Sequence, residues 1–280
     1  MHSNKYKKSS SIIAKRNKVR RIFGLVLKIG LPVIFLVGIA FLLRADFLQV
    51  KNFNVVGEES VSAKDIQKLA AGFVSGSNFF VIPKSNIFLL SKDKLAAAVL
   101  AKFSRVEKVD INKNFFNGSV NLAVKERQAD YLWCSGDDTC FFMTKDGLVF
   151  EKAGFTASDF LASSATWAEP ANKLIFEGNL AGNPLMKNFT ISERMQNYLK
   201  LVKIFKDAGY EIISINIESV DKAIAKSNIG DIIFNPEEVD LSLATQNALL
   251  LINEVRSRNS SAEFNYIDTR FDNKMFYKLL

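Results

Sequence analysis

Hydrophobic positions in this chain fall into two regimes: one nearly continuous run close to the N-terminus, then a long body in which they recur at a period of two or at helical spacing. The run IFGLVLKIGLPVIFLVGIAFLL, Ile22 to Leu43, has 22 residues, sixteen of them Leu, Ile, Val or Phe. As a helix rising about 1.5 Å per residue it is about 33 Å long, enough to cross a hydrocarbon core of about 30 Å. Lys28 lies about two turns in, where its stem can lie along lipid and lift the ammonium to the headgroups. Pro32 can kink such a helix without preventing insertion. The pattern predicts one membrane-spanning helix at 22–43.

The body opens with a strand at Val50–Val56, where Phe53 and Val55 share a face and Gly57 ends the run. Ser62, with Asp65 three residues on, predicts the start of a helix carrying Ile66, Leu69, Ala70 and Phe73 at helical spacing. Ser91 caps a second, with Leu95, Val99 and Phe103 on one face, and the connection 76–90 reads as irregular. The period then changes to two. Val109 and Ile111 precede a turn at Asn117 and Gly118, and Val120, Leu122 and Val124 follow it. The order is strand, helix, helix, strand, strand.

Beyond it, Tyr131–Trp133 and Phe141–Met143 flank a turn at Ser135, Gly136 and Asp137, and a second turn falls at Lys145 to Gly147. Leu174–Phe176 is a short strand. Met195, Leu199, Val202 and Phe205 predict a helix from Ser192, and Ile213, Ile215 and Ile217 alternate after it. A hairpin around Gly230, a helix marked by Leu241, Ala244, Ala248, Leu251 and Val255, and strands at Phe264–Asp268 and Met275–Lys278 complete a mixed sheet with two helices, α+β in class. The stretch Gly154 to Pro170, rich in Ala and Ser, gives no clear period. The expected divisions are a basic tail at 1–21, the spanning helix at 22–43, a small domain at 47–127 and a β-rich domain at 128–280.

Charge sets the orientation. Residues 1–44 hold ten Lys and Arg and no acid; the chain has 37 basic and 29 acidic residues, so the remainder has 27 basic against 29 acidic and is near neutral at −2. The basic tail is expected to stay in the cytoplasm and the body to lie outside. A cleaved signal peptide is the rival reading, but its apolar region is usually shorter, and Arg44 between Leu43 and Ala45 suits cleavage poorly. A near-neutral body without a basic stripe argues against nucleic acid.

Catalytic chemistry finds few residues to use. His2, the only histidine, is in the tail, so the body has no imidazole base and no histidine ligand for a metal. Glu58 with Glu59, Asp137 with Asp138 and Glu237 with Glu238 are adjacent carboxylates in turn-like stretches, read as solvated surface rather than a hydrolytic pair. No phosphate-binding glycine motif and no Gly-x-Ser-x-Gly elbow occurs. No cofactor and no small-molecule substrate is expected. Cys134 and Cys140, with five residues between them across the proposed hairpin, favour a structural disulfide over a redox pair, which normally uses the compact Cys-x-x-Cys spacing.

FLQVKNFNVVG (Phe47–Gly57), the helix beginning VSAKDI at Val61 and SVNLAVKERQA from Ser119 together resemble a POTRA domain, specifically that of the bacterial FtsQ/DivIB cell-division family. CFFMTKDGLVFE (Cys140–Glu151) is similar to a family hairpin, with Thr144 where that family usually has Asp. YIDTRFDNKMFYK (Tyr266–Lys278) resembles its closing Asp-x-Arg segment and final strand. The resemblance implies a non-enzymatic, single-pass scaffold at the division septum. Its implied partners are division membrane proteins of the FtsB and FtsL type, with FtsK, FtsW and FtsI as further contacts, and lipid through 22–43.

Strand addition is the expected binding mode, since an open sheet edge offers unpaired N–H and C=O groups. Met275–Lys278 is the candidate edge, with Phe276 and Tyr277 as apolar surface and Arg270 as a charge for a partner carboxylate. The resemblance carries the partner-binding role to Arg270, Phe271, Asn273, Met275 and Phe276, while Phe271 and Phe276 have core packing as their alternative. A membrane-anchored wall enzyme and another POTRA-containing export or assembly factor are the competing functions.

Overall fold

The computed structural model describes residues 24, 26–78, 82–136, 139–157, 173–271 and 274–280. Residues 26–42 form a helix, α1, whose side chains are largely exposed and apolar, among them Ile34, Phe35 and Phe41. Among the described residues no helix is long and apolar enough to cross a membrane. The predicted span at 22–43 includes residues 22, 23 and 25, which lie outside the described set, as do the basic tail and most of 154–170. The fold is mixed α+β, and the chain divides into two compact units, Met1–Glu126 and Arg127–Leu280.

In the first unit the order after α1 is β1 (Asn52–Val56), α2 (Ala63–Phe73), the short pair β2 (Ser77–Asn78) and β3 (Ile82–Pro83), α3 (Lys92–Lys102), β4 (Val106–Asn114) and β5 (Ser119–Glu126). The short β2–β3 pair lies in the connection that the sequence leaves irregular. β5 is central, parallel to β1 and antiparallel to β4. Both helices cover one face. Ile66 and Ala70 of α2, Leu95 and Val99 of α3, and Val109, Ile111, Val120, Leu122 and Val124 of the sheet form the core. Ser91 caps α3 by accepting the Lys94 N–H at 3.3 Å, whereas Ser62, at the equivalent position of α2, makes no side-chain cap.

One carboxylate closes this unit. Glu126, at the end of β5, accepts the backbone N–H groups of Glu59, Ser60 and Val61 at 2.8 to 3.0 Å and pairs with Arg105 at 3.3 Å. It thereby fixes the loop between β1 and α2. Burial opposes its charge, but the three N–H donors and Arg105 outweigh burial and hold its carboxyl below the usual range.

The second unit is built on a ten-stranded sheet. In chain order its strands are β6 (Tyr131–Cys134), β7 (Thr139–Met143), β8 (Leu148–Thr156), β9 (Ile175–Gly178), β10 (Lys187–Asn188), β11 (Ile212–Ser219), β12 (Lys222–Ser227), β13 (Gly230–Phe234), β14 (Phe264–Phe271) and β15 (Lys274–Leu279). Across the sheet they lie β10-β8-β7-β6-β9-β11-β12-β13-β14-β15. Helices α4 (Ser192–Asp207) and α5 (Ser242–Arg258) share one face with the main core, whose largest fully buried side chains include Phe176, Phe205 and Phe234. Each such side chain contributes about 1.5–3 kcal/mol by leaving water. Around Leu132, Cys134, Cys140, Phe142 and Phe150 a second cluster forms.

Two details differ from the sequence pattern. Ile213 is not on the inner face: a register shift between Ile212 and Ser214 turns it outward and buries Ile212 beside Ile215. On α4, Leu199 and Val202 are only partly buried, and Tyr198 and Leu201 make the inner stripe with Met195 and Phe205. Gly230 opens β13 at φ 121° so close to β14 that an added Cβ would lie 2.2 Å from the Phe264 carbonyl oxygen.

Candidate functional site

β15 is the last strand of the large sheet, paired on one side with β14. Asp268 lies opposite Phe276, and Ile267 opposite Tyr277. The Leu280 N–H donates inward to the Glu263 carbonyl. Backbone direction alternates along a strand, so the N–H groups of Lys278 and Phe276 also turn toward β14, and those of Tyr277 and Met275 face the open edge.

Several side chains along this edge are apolar and exposed, flanked by Lys274 and Lys278. Phe276 is 50% exposed and Phe271 49%, their rings meeting edge to face at 5.2 Å. Core packing, the alternative for both, does not hold: neither is buried. Tyr277 is exposed and its ring lies 6.0 Å from that of Phe264. Leu279 and Leu280 extend the apolar surface, although the sequence reading did not single them out. Asn273 lies outside the described residues.

Arg270 has a partner of its own. Its Nε and Nη2 donate to the Asp268 carboxylate at 3.0 and 2.7 Å, and its Cζ lies 5.7 Å from the Phe271 ring centroid. The Asp268 side chain is 9% exposed. These hydrogen bonds push the Arg270 guanidinium further up from its ordinary value despite some desolvation. The fork expected to meet a partner carboxylate is thus already occupied by the acid two residues before it, which lies on the same strand face. Arg270 braces the hairpin and presents its remaining surface against Phe271.

Beside β15 a groove of about 380 Å³ runs against the start of α5, lined by Leu243, Ala244, Asn247, Thr269, Phe271 and Met275, with Glu238, Arg270 and Lys274 at its polar borders. Of its helix residues, Leu243 and Asn247 escaped the sequence reading, and Ala244, read there only as marking the helix, is partly buried. A signal existed: Leu243 and Leu250, seven apart and both off the buried stripe, are strongly exposed.

Away from the edge, Cys134 and Cys140 face each other across β6 and β7 and are joined by a disulfide. Glu237 pairs with Arg194. The Tyr198 hydroxyl, 3.3 Å from the Pro236 carbonyl, has its pKa pushed up to about 12, chiefly by burial, and takes no part in the edge.

A three-stranded sheet covered on one face by two helices, in the order strand, helix, helix, strand, strand, defines the first unit as a POTRA domain. Residues 48–127 match the family model described as POTRA domain, FtsQ-type. The chain therefore carries an FtsQ-type POTRA domain over residues 48–127. A comparison with curated proteins returns no match.

Proposed function

We propose that this protein is a non-enzymatic scaffold of the bacterial cell-division machinery. The apolar segment 22–43 anchors it in the cytoplasmic membrane, and it acts through extracytoplasmic protein contacts at the septum. The FtsQ-type POTRA match supports the division role. The observation that carries the mechanism is the open outer edge of β15, with outward N–H groups between exposed Phe276, Tyr277 and Leu279. A partner strand laid along it would complete the sheet with main-chain hydrogen bonds, and its alternate side chains would enter the groove beside Met275 and Leu243.

The partners that this reading favours are membrane proteins of the FtsB and FtsL type. FtsK, FtsW and FtsI are contacts of the POTRA unit or of the complex as a whole. Confinement in one membrane raises the effective concentration of such contacts, so each can be weak alone. Time-lapse imaging of the fluorescently tagged full chain tests the role: the signal is expected to gather at midcell before constriction. A uniform peripheral signal throughout division would overturn the scaffold reading.

A further inference from the structure

We propose that the end of the POTRA unit joined to α1 docks on the phospholipid surface, inserting an aromatic patch of Phe47, Phe88, Phe115 and Phe116 at headgroup level with Lys92 and Lys113 at its border. This rests on the reading that 22–43 crosses the membrane.

The last carbonyls of a helix lack partners within it. Here the Leu43 carbonyl, just past α1, accepts the Asn86 Nδ2 and the Gln49 Nε2, each at 2.9 Å. Asn86 is fully buried, and its Oδ1 accepts the Phe88 N–H at 3.0 Å. Gln49 in turn accepts the Ser85 hydroxyl at 2.6 Å. Two amide side chains, the buried Asn86 and the partly buried Gln49, therefore tie the segment 84–89 to the end of the helix.

A third segment joins them. The Gly118 carbonyl accepts the Lys51 N–H at 2.8 Å, and Gly118 approaches so near that an added Cβ would lie 2.7 Å from the Gln49 carbonyl oxygen. The turn before it carries Phe115 and Phe116, and the Phe115 ring stacks on Phe88 at 4.8 Å.

These rings face solvent instead of the core: Phe47 and Phe88 are more than half exposed and Phe116 is wholly so. Phe88 is two residues from Asn86, a reach of about 7 Å, so the patch surrounds the point where α1 ends. Aromatic rings are enriched at that depth because they suit a layer that is partly apolar and partly wet. Lys92 stands close enough to Lys113 that its charge, after burial, helps hold the Lys113 ammonium below its usual titration. An anionic headgroup would relieve that repulsion.

The test uses the full chain in phosphatidylcholine vesicles containing phosphatidylglycerol, with the photoreactive residue p-benzoylphenylalanine placed singly at 34, 56, 88 or 116. Position 56 is exposed at the far end of β1, and position 34 lies within α1. Mass spectrometry is expected to find lipid adducts at 34, 88 and 116, severalfold above 56. Adducts at 34 with 88 and 116 no higher than 56 would overturn the docking and leave the span standing. No lipid adduct at 34 would overturn both.

Discussion

Tyr277→Pro separates main-chain strand addition from side-chain contact at β15. The Tyr277 N–H faces the open edge, because the Leu280 N–H three residues on faces β14. Proline at an edge position with its N–H toward solvent leaves the ladder to β14 intact. Tyr277→Ala is the matched comparison, since it also loses the exposed ring but keeps the donor. The difference between the two variants is one interstrand hydrogen bond, net about 1 kcal/mol, and a partner carbonyl left unsatisfied raises the cost toward about 3 kcal/mol. In affinity that is about fivefold to a hundredfold. Both variants are made in the full chain, melted to show that the fold persists, and titrated with the extracytoplasmic segment of an FtsB-type partner by interferometry. Phe276→Pro is the contrasting variant: its N–H turns inward, so it is expected to lower the melting temperature as well. If Tyr277→Pro melts with Tyr277→Ala and binds equally well, the partner does not add a strand to β15.

Three further outcomes follow from particular contacts. Glu126→Gln should destabilise the POTRA unit by about 2 kcal/mol at neutral pH, since a charged acceptor of three N–H groups becomes a neutral one. The folded carboxyl titrates below its ordinary 4.5, so its contribution is whole above that pH and is lost as pH falls through the folded value; urea titrations should show the gap to wild type closing in acid. Reducing the Cys134–Cys140 bond, which spans a sequence separation of 6, should cost the second unit about 2 kcal/mol, read as a shift of its urea midpoint with and without reductant. Arg270→Ala should destabilise the β14–β15 hairpin by leaving Asp268 buried without its cation, and Asp268→Asn with Arg270→Gln should recover most of the melting temperature; partner binding that stays lost in the double variant would restore Arg270 as a direct contact.

The POTRA order was legible because each strand alternates on one face only: Val120, Leu122 and Val124 point inward in sequence and in structure alike. In the large sheet, alternation identifies strands but not neighbours. β9 lies parallel to both β6 and β11, each pairing resting on three or four residues brought from distant sequence, and no local pattern encodes that. The same limit explains Ile213, whose alternation with Ile215 is real in sequence but broken by a bulge that depends on β12. The Asp-x-Arg spacing at Asp268 and Arg270 was visible from the start. Its two-residue separation already places acid and base on one strand face, and the structure makes that spacing an ion pair.

An open edge that welcomes one strand must refuse others, above all its own copy. β15 carries Lys274 and Lys278 on either side of Phe276. Antiparallel self-pairing centred on Phe276 would set Lys274 of each copy opposite Lys278 of the other, and like charges directly opposite destabilise a ladder by about 0.2–1 kcal/mol per pair. Two such pairs cost up to about 2 kcal/mol, enough to tip a contact as short as this six-residue strand. A partner strand with carboxylates at the flanking positions turns the same lysines into attraction, so charge selects the partner while main-chain bonding holds it. Lys274→Thr with Lys278→Thr should therefore raise self-association in analytical ultracentrifugation and weaken binding to an acidic partner strand, more so at low salt. Self-association unchanged by the double substitution would mean that something other than these lysines keeps the edge free.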